Sequence, residues 1–184
     1  WKRHRKIISN SFHYEFLKAN IHVIQDTTRE FLDKLTPEDM KGFPAISKIQ
    51  DITGEIVGRI FFGNNLTQFT CNGRPLTVEL AEITSELAMC GRTPFVLILG
   101  IKAIKLPFGR FKRILNRINN FRKICFEIVA HRKANPIETS DLLSSLLATQ
   151  KSEDPNMKYT DEDIINEFIT FFIAGMDTTG HLIG

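Results

Sequence analysis

The stretch that decides the fold is Phe171-Phe172-Ile173-Ala174-Gly175-Met176-Asp177-Thr178-Thr179-Gly180. Upstream of it a helix has a clear start. Thr160 with Asp163 three residues on makes a capping-box-like pair, and Asp161, Glu162 and Asp163 suit the positive end of a helix dipole. Ile164, Ile165, Phe168, Ile169 and Phe172 then build a wide apolar face. Into that face the sequence sets a glycine, an acid and two β-branched hydroxyls. A helix-interior glycine costs ~1 kcal/mol relative to alanine. A buried, unpaired acid costs more. Threonines bond back to the preceding turn and bend helices. Two readings are open on this pattern. Either the helix ends at Gly175 and Asp177 caps a new one, or it is bent or widened at Ala174-Gly175. The second leaves room for a flat ligand against the backbone. Thr178 then lies one turn on from Ala174, beside an acid, where it can hold water and relay protons.

Outward from this stretch the chain reads as helices joined by short loops. A basic helix covers Trp1 to Phe12, and a long one is predicted from Tyr14 to Leu35, ended by Thr36-Pro37. Ile49, Ile52, Ile56, Val57 and Ile60 place a third helix from Ala45 to Phe62, closed by Gly63-Asn64-Asn65. Cys71 to Pro75 is a turn. Helices follow over Leu76–Cys90, Arg110–Lys133 and Ser140–Gln150, with an irregular apolar segment at Phe95–Phe108 and a polar loop at Lys151–Tyr159. Strand signals are weak, so the class is mainly α.

Composition narrows the function. The 184 residues are 42% hydrophobic and 24% charged, with a net charge of +3, too mild to argue for nucleic acid or an acidic substrate. Cys71, Cys90 and Cys125 are far apart and fit neither a zinc pattern nor a disulfide framework. No metal site is expected from them. His4 and His13 read as surface or packing residues. The chain begins at Trp1, shows no signal peptide and has no apolar run near the ~18 residues needed to span a bilayer. Residues 1–184 are expected to be part of a single larger domain, truncated at both ends.

Ala174-Gly175-Met176-Asp177-Thr178-Thr179 resembles the oxygen-binding helix signature of the cytochrome P-450 family, the heme-thiolate monooxygenases. Independently, Trp1-Lys2-Arg3-His4-Arg5-Lys6, extended to Phe12, resembles the family's Trp-x-x-x-Arg helix in its microsomal-type form. DITGEIVGRIFFG (51–63) and NPIETSDLLSSLL (135–147) resemble the intervening family segments, in the right order. The resemblance implies part of the mainly α cytochrome P-450 fold, from the Trp-x-x-x-Arg helix to the oxygen-binding helix. It implies that Trp1 and Arg5 bind heme propionates and that Ala174 and Gly175 sit over the porphyrin. Thr178 would hydrogen-bond dioxygen or its water, Asp177 would feed protons inward, and Thr170 and Ile173 would face substrate. It further implies a small hydrophobic organic substrate, a reductase drawing on NADPH, and endoplasmic reticulum localisation of the complete protein. TPFVLILGIKAIKLPFG (93–109) reads by itself as a buried core loop, whereas the resemblance places it near the substrate entrance, where its apolar residues with Lys102 and Lys105 would suit a membrane surface. Without the resemblance, Trp1 and Arg5 read as a cation–π pair on a solvated helix. The other function class is then a catalytically inert helical domain for partner binding.

The family's thiolate motif, Phe-x-x-Gly-x-Arg-x-Cys-x-Gly, is met by none of the cysteines. Thr67 and Phe69 stand where Cys71 would need Gly and Arg, and Cys90 and Cys125 lack the following glycine. The 184-residue chain on its own is therefore expected to form no thiolate-ligated heme. A reduced, carbon monoxide-treated sample with a thiolate-type red-shifted Soret band would overturn this.

Overall fold

The computed structural model describes residues 2–42, 44–63, 66–105, 109–137, 141–154 and 158–183. The described elements are α1 (Lys2–Ile8), α2 (Tyr14–Ala19), α3 (Ile21–Asp33), α4 (Ala45–Phe62), β1 (Thr70–Cys71), β2 (Arg74–Pro75), α5 (Leu76–Gly91), α6 (Pro94–Leu99), α7 (Gly109–Ala134), α8 (Leu142–Thr149) and α9 (Asp161–Ile183). Short 3-10 turns follow α1 at Ser9–Phe12 and α6 at Gly100–Lys105. The architecture is mainly helical, as the periodicity predicts.

α9 begins at the capping pair. The Asp163 carboxylate accepts from Thr160 N and Oγ1, both at 2.9 Å, and Asp163 N donates back to Thr160 Oγ1 at 3.1 Å. Ile164, Phe168, Phe172, Met176 and Gly180 recur every fourth residue and are all buried. α4 packs along this stripe. Around the pair, Leu76, Leu80 and Ile83 of α5, Phe121, Cys125 and Ile128 of α7, and Leu142, Leu143 and Leu146 of α8 complete the main core. A smaller cluster of Cys90, Ala103, Phe111 and Ile114 lies under α6.

Several local expectations are corrected. The helix predicted over Tyr14–Leu35 forms as α2 and α3, broken at Asn20. The Asn20 amide donates to Phe16 O at 2.8 Å, giving the backbone an alternative to continuing the helix. The turn at Cys71–Pro75 is a two-stranded antiparallel hairpin, with Thr70 opposite Pro75 and Cys71 opposite Arg74. Asn72 and Gly73 both take positive φ, 52° and 77°, as a tight two-residue hairpin requires. The segment expected to be irregular from Phe95 is helical: Pro94 opens α6 at a position where its missing N–H costs nothing. Residues 106–108 of that segment lie outside the described residues, as do Asn64 and Asn65.

Buried charge ties the helix ends together. Glu79 on α5 is 1% exposed and is met bidentately by Arg117 of α7, both bonds at 2.7 Å. Burial opposes ionisation of Glu79, but the bonds from Arg117 and from Asn72 hold its carboxyl below the usual carboxylate range. Arg132 of α7 is 3% exposed. It donates to Asp141 Oδ2 at 2.9 Å and to the Phe62 carbonyl at the end of α4. Asp141 Oδ1 caps α8 by accepting from Ser144 N at 2.7 Å. Gly63 ends α4 in the left-handed region, and a Cβ there would stand 2.3 Å from Arg132 Nη2. One guanidinium thus joins three helices.

Arg132→Met is expected to cost about 3–5 kcal/mol, because it takes the cation away from the buried Asp141 carboxylate and a donor away from the Phe62 carbonyl. Urea unfolding of the complete protein measures this as a lowered midpoint. An unchanged midpoint would mean that water serves the junction equally well.

Candidate functional site

Residues two apart on an α-helix point about 200° from each other. The stripe Ile164–Phe168–Phe172–Met176–Gly180 faces the core, so Thr170, Ala174 and Thr178 face away from it, and all three are exposed. The α-helical hydrogen-bond pattern continues through Ala174 and Gly175 to Ile183, so the helix neither ends nor widens there. The Thr178 hydroxyl donates to Ala174 O at 2.5 Å and Thr170 Oγ1 to Asn166 O at 2.7 Å. Both threonines bond back one turn and leave their oxygen lone pairs toward the open side.

The flanks of this stripe differ. Gly175 turns toward α4, where a Cβ would lie 2.5 Å from Val57 Cγ2. It also lines an apolar groove of about 570 Å³ between α3, α4 and α9. Ile173, on the opposite flank, is partly buried against the main core. Asp177 is half-buried. Its Oδ1 accepts from Gln50 Nε2 of α4 at 3.1 Å, and His181 Nδ1 stands 3.3 Å away on the solvent side.

α1 runs beside the N-terminal half of α9. Arg5, Ile8, Ser9 and Phe12 recur at helical spacing and, with His4, line a groove of about 750 Å³ whose other wall is Glu167, Thr170 and Phe171. Arg5 and Thr170, 165 positions apart in the chain, therefore share one groove. Ala174 and Thr178 lie one and two turns further along α9. Trp1 lies outside the described residues. Sequence reasoning missed Gln50, Val57, His4 and Glu167 as neighbours of the site. Only Glu167 had a legible signal, its position three residues before Thr170.

The donor set can be tested against a heme. An exposed line of small and hydroxyl side chains suits a flat ring, and a guanidinium at the groove suits its carboxylate arms. On this distal side the residues fit. None of the three cysteines lines the groove that holds Arg5. Cys71, Cys90 and Cys125 are buried, and burial pushes the thiols of Cys71 and Cys125 up, away from the thiolate form. Among the described residues, no group of three or more His, Cys, Asp or Glu could hold a metal ion.

Comparison with known proteins agrees with the motifs. The family model described as Cytochrome P450 matches residues 1–183. Cytochrome P450 709B1 of Arabidopsis thaliana is 28% identical over 195 residues, covering 100% of this chain and 36% of that protein. Cytochrome P450 monooxygenase 124 of Postia placenta is 27% identical, with 100% and 37% covered. The 11-oxo-beta-amyrin 30-oxidase of Medicago truncatula is 25% identical, with 100% and 36% covered. The chain thus spans little more than a third of the length of these relatives. The crystal structure of a cytochrome P450, CYP102L1, superposes with a TM-score of 0.71 at 21% identity, over 98% of this chain and 40% of that one, which is a likeness of fold.

Gly175→Ala is expected to lose about 1–2 kcal/mol of stability, since overpacking against Val57 exceeds the gain in helix propensity. Val57→Ala opens the space, so the double variant is expected to recover most of that loss. Equal unfolding midpoints for Gly175→Ala and the parent would show that the crossing of α4 and α9 is not at contact.

Proposed function

Because the chain belongs to the cytochrome P450 family of heme-linked monooxygenases, we propose that residues 1–184 form the oxygen-side part of a single monooxygenase domain, from the Trp-x-x-x-Arg helix to the oxygen-binding helix. The complete protein inserts one atom of dioxygen into a small hydrophobic organic molecule. The observation that carries this reading is the exposed stripe Thr170–Ala174–Thr178 beside the groove that contains Arg5. Relatives named 11-oxo-beta-amyrin 30-oxidase and echinocystic acid 23-monooxygenase support an organic, largely hydrophobic substrate class.

Heme, when bound, supplies the iron at which dioxygen is activated. Arg5, with Trp1, would hold the propionate carboxylates through charge-assisted bonds. Exposed Ala174 would offer the ring only a methyl. Gly175 adds bare backbone and keeps α9 close on α4. The hydroxyl hydrogen of Thr178 is spent on Ala174 O, so its oxygen accepts a hydrogen bond from a water and holds that water in place. Asp177, between Gln50 and solvent-side His181, passes protons inward to that water. Thr170 and Ile173 border the substrate. Electrons come from NADPH through a reductase. Exposed Ile98 and Leu99, with exposed Lys102 and Lys105 nearby, support contact with a membrane surface, and we assign the complete protein to the endoplasmic reticulum membrane. Among the described residues no helix is long and apolar enough to cross a membrane.

In the complete protein, Thr178→Ala is expected to keep NADPH and oxygen consumption but release hydrogen peroxide in place of product. Asp177→Asn is expected to slow turnover as a whole, by roughly 100-fold on the scale of positioned acids. NADPH oxidised, product formed and peroxide released are measured for each. Unchanged coupling in Thr178→Ala, with only a lowered melting temperature, would reduce the threonine to a helix-packing role.

A further inference from the structure

α1 has seven residues, too few to be stable as an isolated helix in water. Its placement comes from what it touches. Ile7 is buried in the main core. His4 Nδ1 donates to Glu167 Oε1 of α9, across 163 positions of sequence. Tyr159, 2% exposed, brings its hydroxyl to 3.5 Å from the same oxygen, and its ring meets the His4 ring edge-on with centroids 5.0 Å apart. Glu167 is largely buried, its side chain 13% exposed, and a carboxylate so placed needs donors. His4 and Tyr159 supply them.

We infer that His4 and Glu167 form a clasp that sets the orientation of α1 and, through it, the direction in which Arg5 enters the groove. They are positioning residues for heme binding, acting through Arg5. This rests on the reading above that Arg5 meets a propionate. A short helix held by Ile7 and Ile8, adjacent at its C-terminal end, can pivot about that end. His4 lies three residues before Ile7, on the same side of the helix, and a second tie there removes the pivot. Glu167 in turn sits three residues before Thr170, so the clasp references Arg5 to the helix that carries the oxygen-side stripe.

The test is heme transfer from the complete protein to excess apomyoglobin, followed by the Soret change. Arg5→Ala and His4→Leu are each expected to speed heme loss roughly tenfold, the scale of one charge-assisted hydrogen bond. His4→Gln, which keeps a donor for Glu167, is expected to restore retention. Added to Arg5→Ala, His4→Leu is expected to cause no further acceleration, because both act on one contact. Independent structural damage would instead multiply the two effects. Where His4→Leu does not fold, Glu167→Gln, of the same shape, takes its place in the cycle. Heme loss from the clasp variants at the parent rate, or effects that multiply, would overturn the clasp while leaving the propionate reading intact. An Arg5→Ala protein that retains heme like the parent would overturn the propionate reading, and the clasp's route through Arg5 with it.

Discussion

The close crossing of α4 and α9 is the constraint on which the rest of the structure depends. It works by subtraction. A side chain at Gly175 would strike Val57, one at Gly180 would strike Gln50, and one at Gly54 would strike Thr77 and Met176. With those side chains absent, the helices approach closely enough for Thr53 Oγ1 to lie 3.0 Å from Met176 O and for Gln50 to reach Asp177. A steric fit and two polar contacts together fix the rotation of α9 about its axis. Rotation is what matters for the proposed site, because it decides that Ala174 and Thr178 face outward. The glycine in the signature stretch therefore serves packing at least as directly as it serves any ligand.

The remaining helices are tied to this pair by buried charge as well as by apolar contact. Arg132 gathers the end of α4 and the start of α8, and Arg117 binds α7 to Glu79 of α5, a carboxylate that also accepts from Asn72 of the hairpin. Such pairs add little net stability over apolar packing of the same volume, but breaking one is costly, so they discriminate strongly between the right arrangement and near misses. The His4–Glu167 contact extends the same device to α1, the element least able to place itself.

How legible was all this beforehand? The periodic helices were read to within a residue or two: α4 over Ala45–Phe62, α9 from its Thr160–Asp163 cap, α7 and α8 close to their ends. Errors fell where one side chain redirects the backbone. The amide of Asn20 divides a helix whose apolar spacing runs straight across it, and Asn72-Gly73 makes a hairpin too short to carry a strand signal. Motif residues 174–179 and the Trp1–Phe12 segment pointed to the family from identity and order, which local chemistry at each position could not have done.

By itself the sequence determined where helices form, because periodicity, caps and breakers act within a turn or two of each residue. It also carried the family, because short motifs are written contiguously. Only the tertiary structure decided which way each motif residue points. Gly175 and Ala174 are adjacent, yet one meets Val57 and the other faces the open side. His4 reads only as a surface or packing residue, and nothing in the sequence names Glu167 as its partner. These facts depend on contacts between residues more than a hundred positions apart, and no local pattern encodes the rotation of one helix against another. That rotation is set by the complementary shapes of two surfaces, and it exists only once they have met.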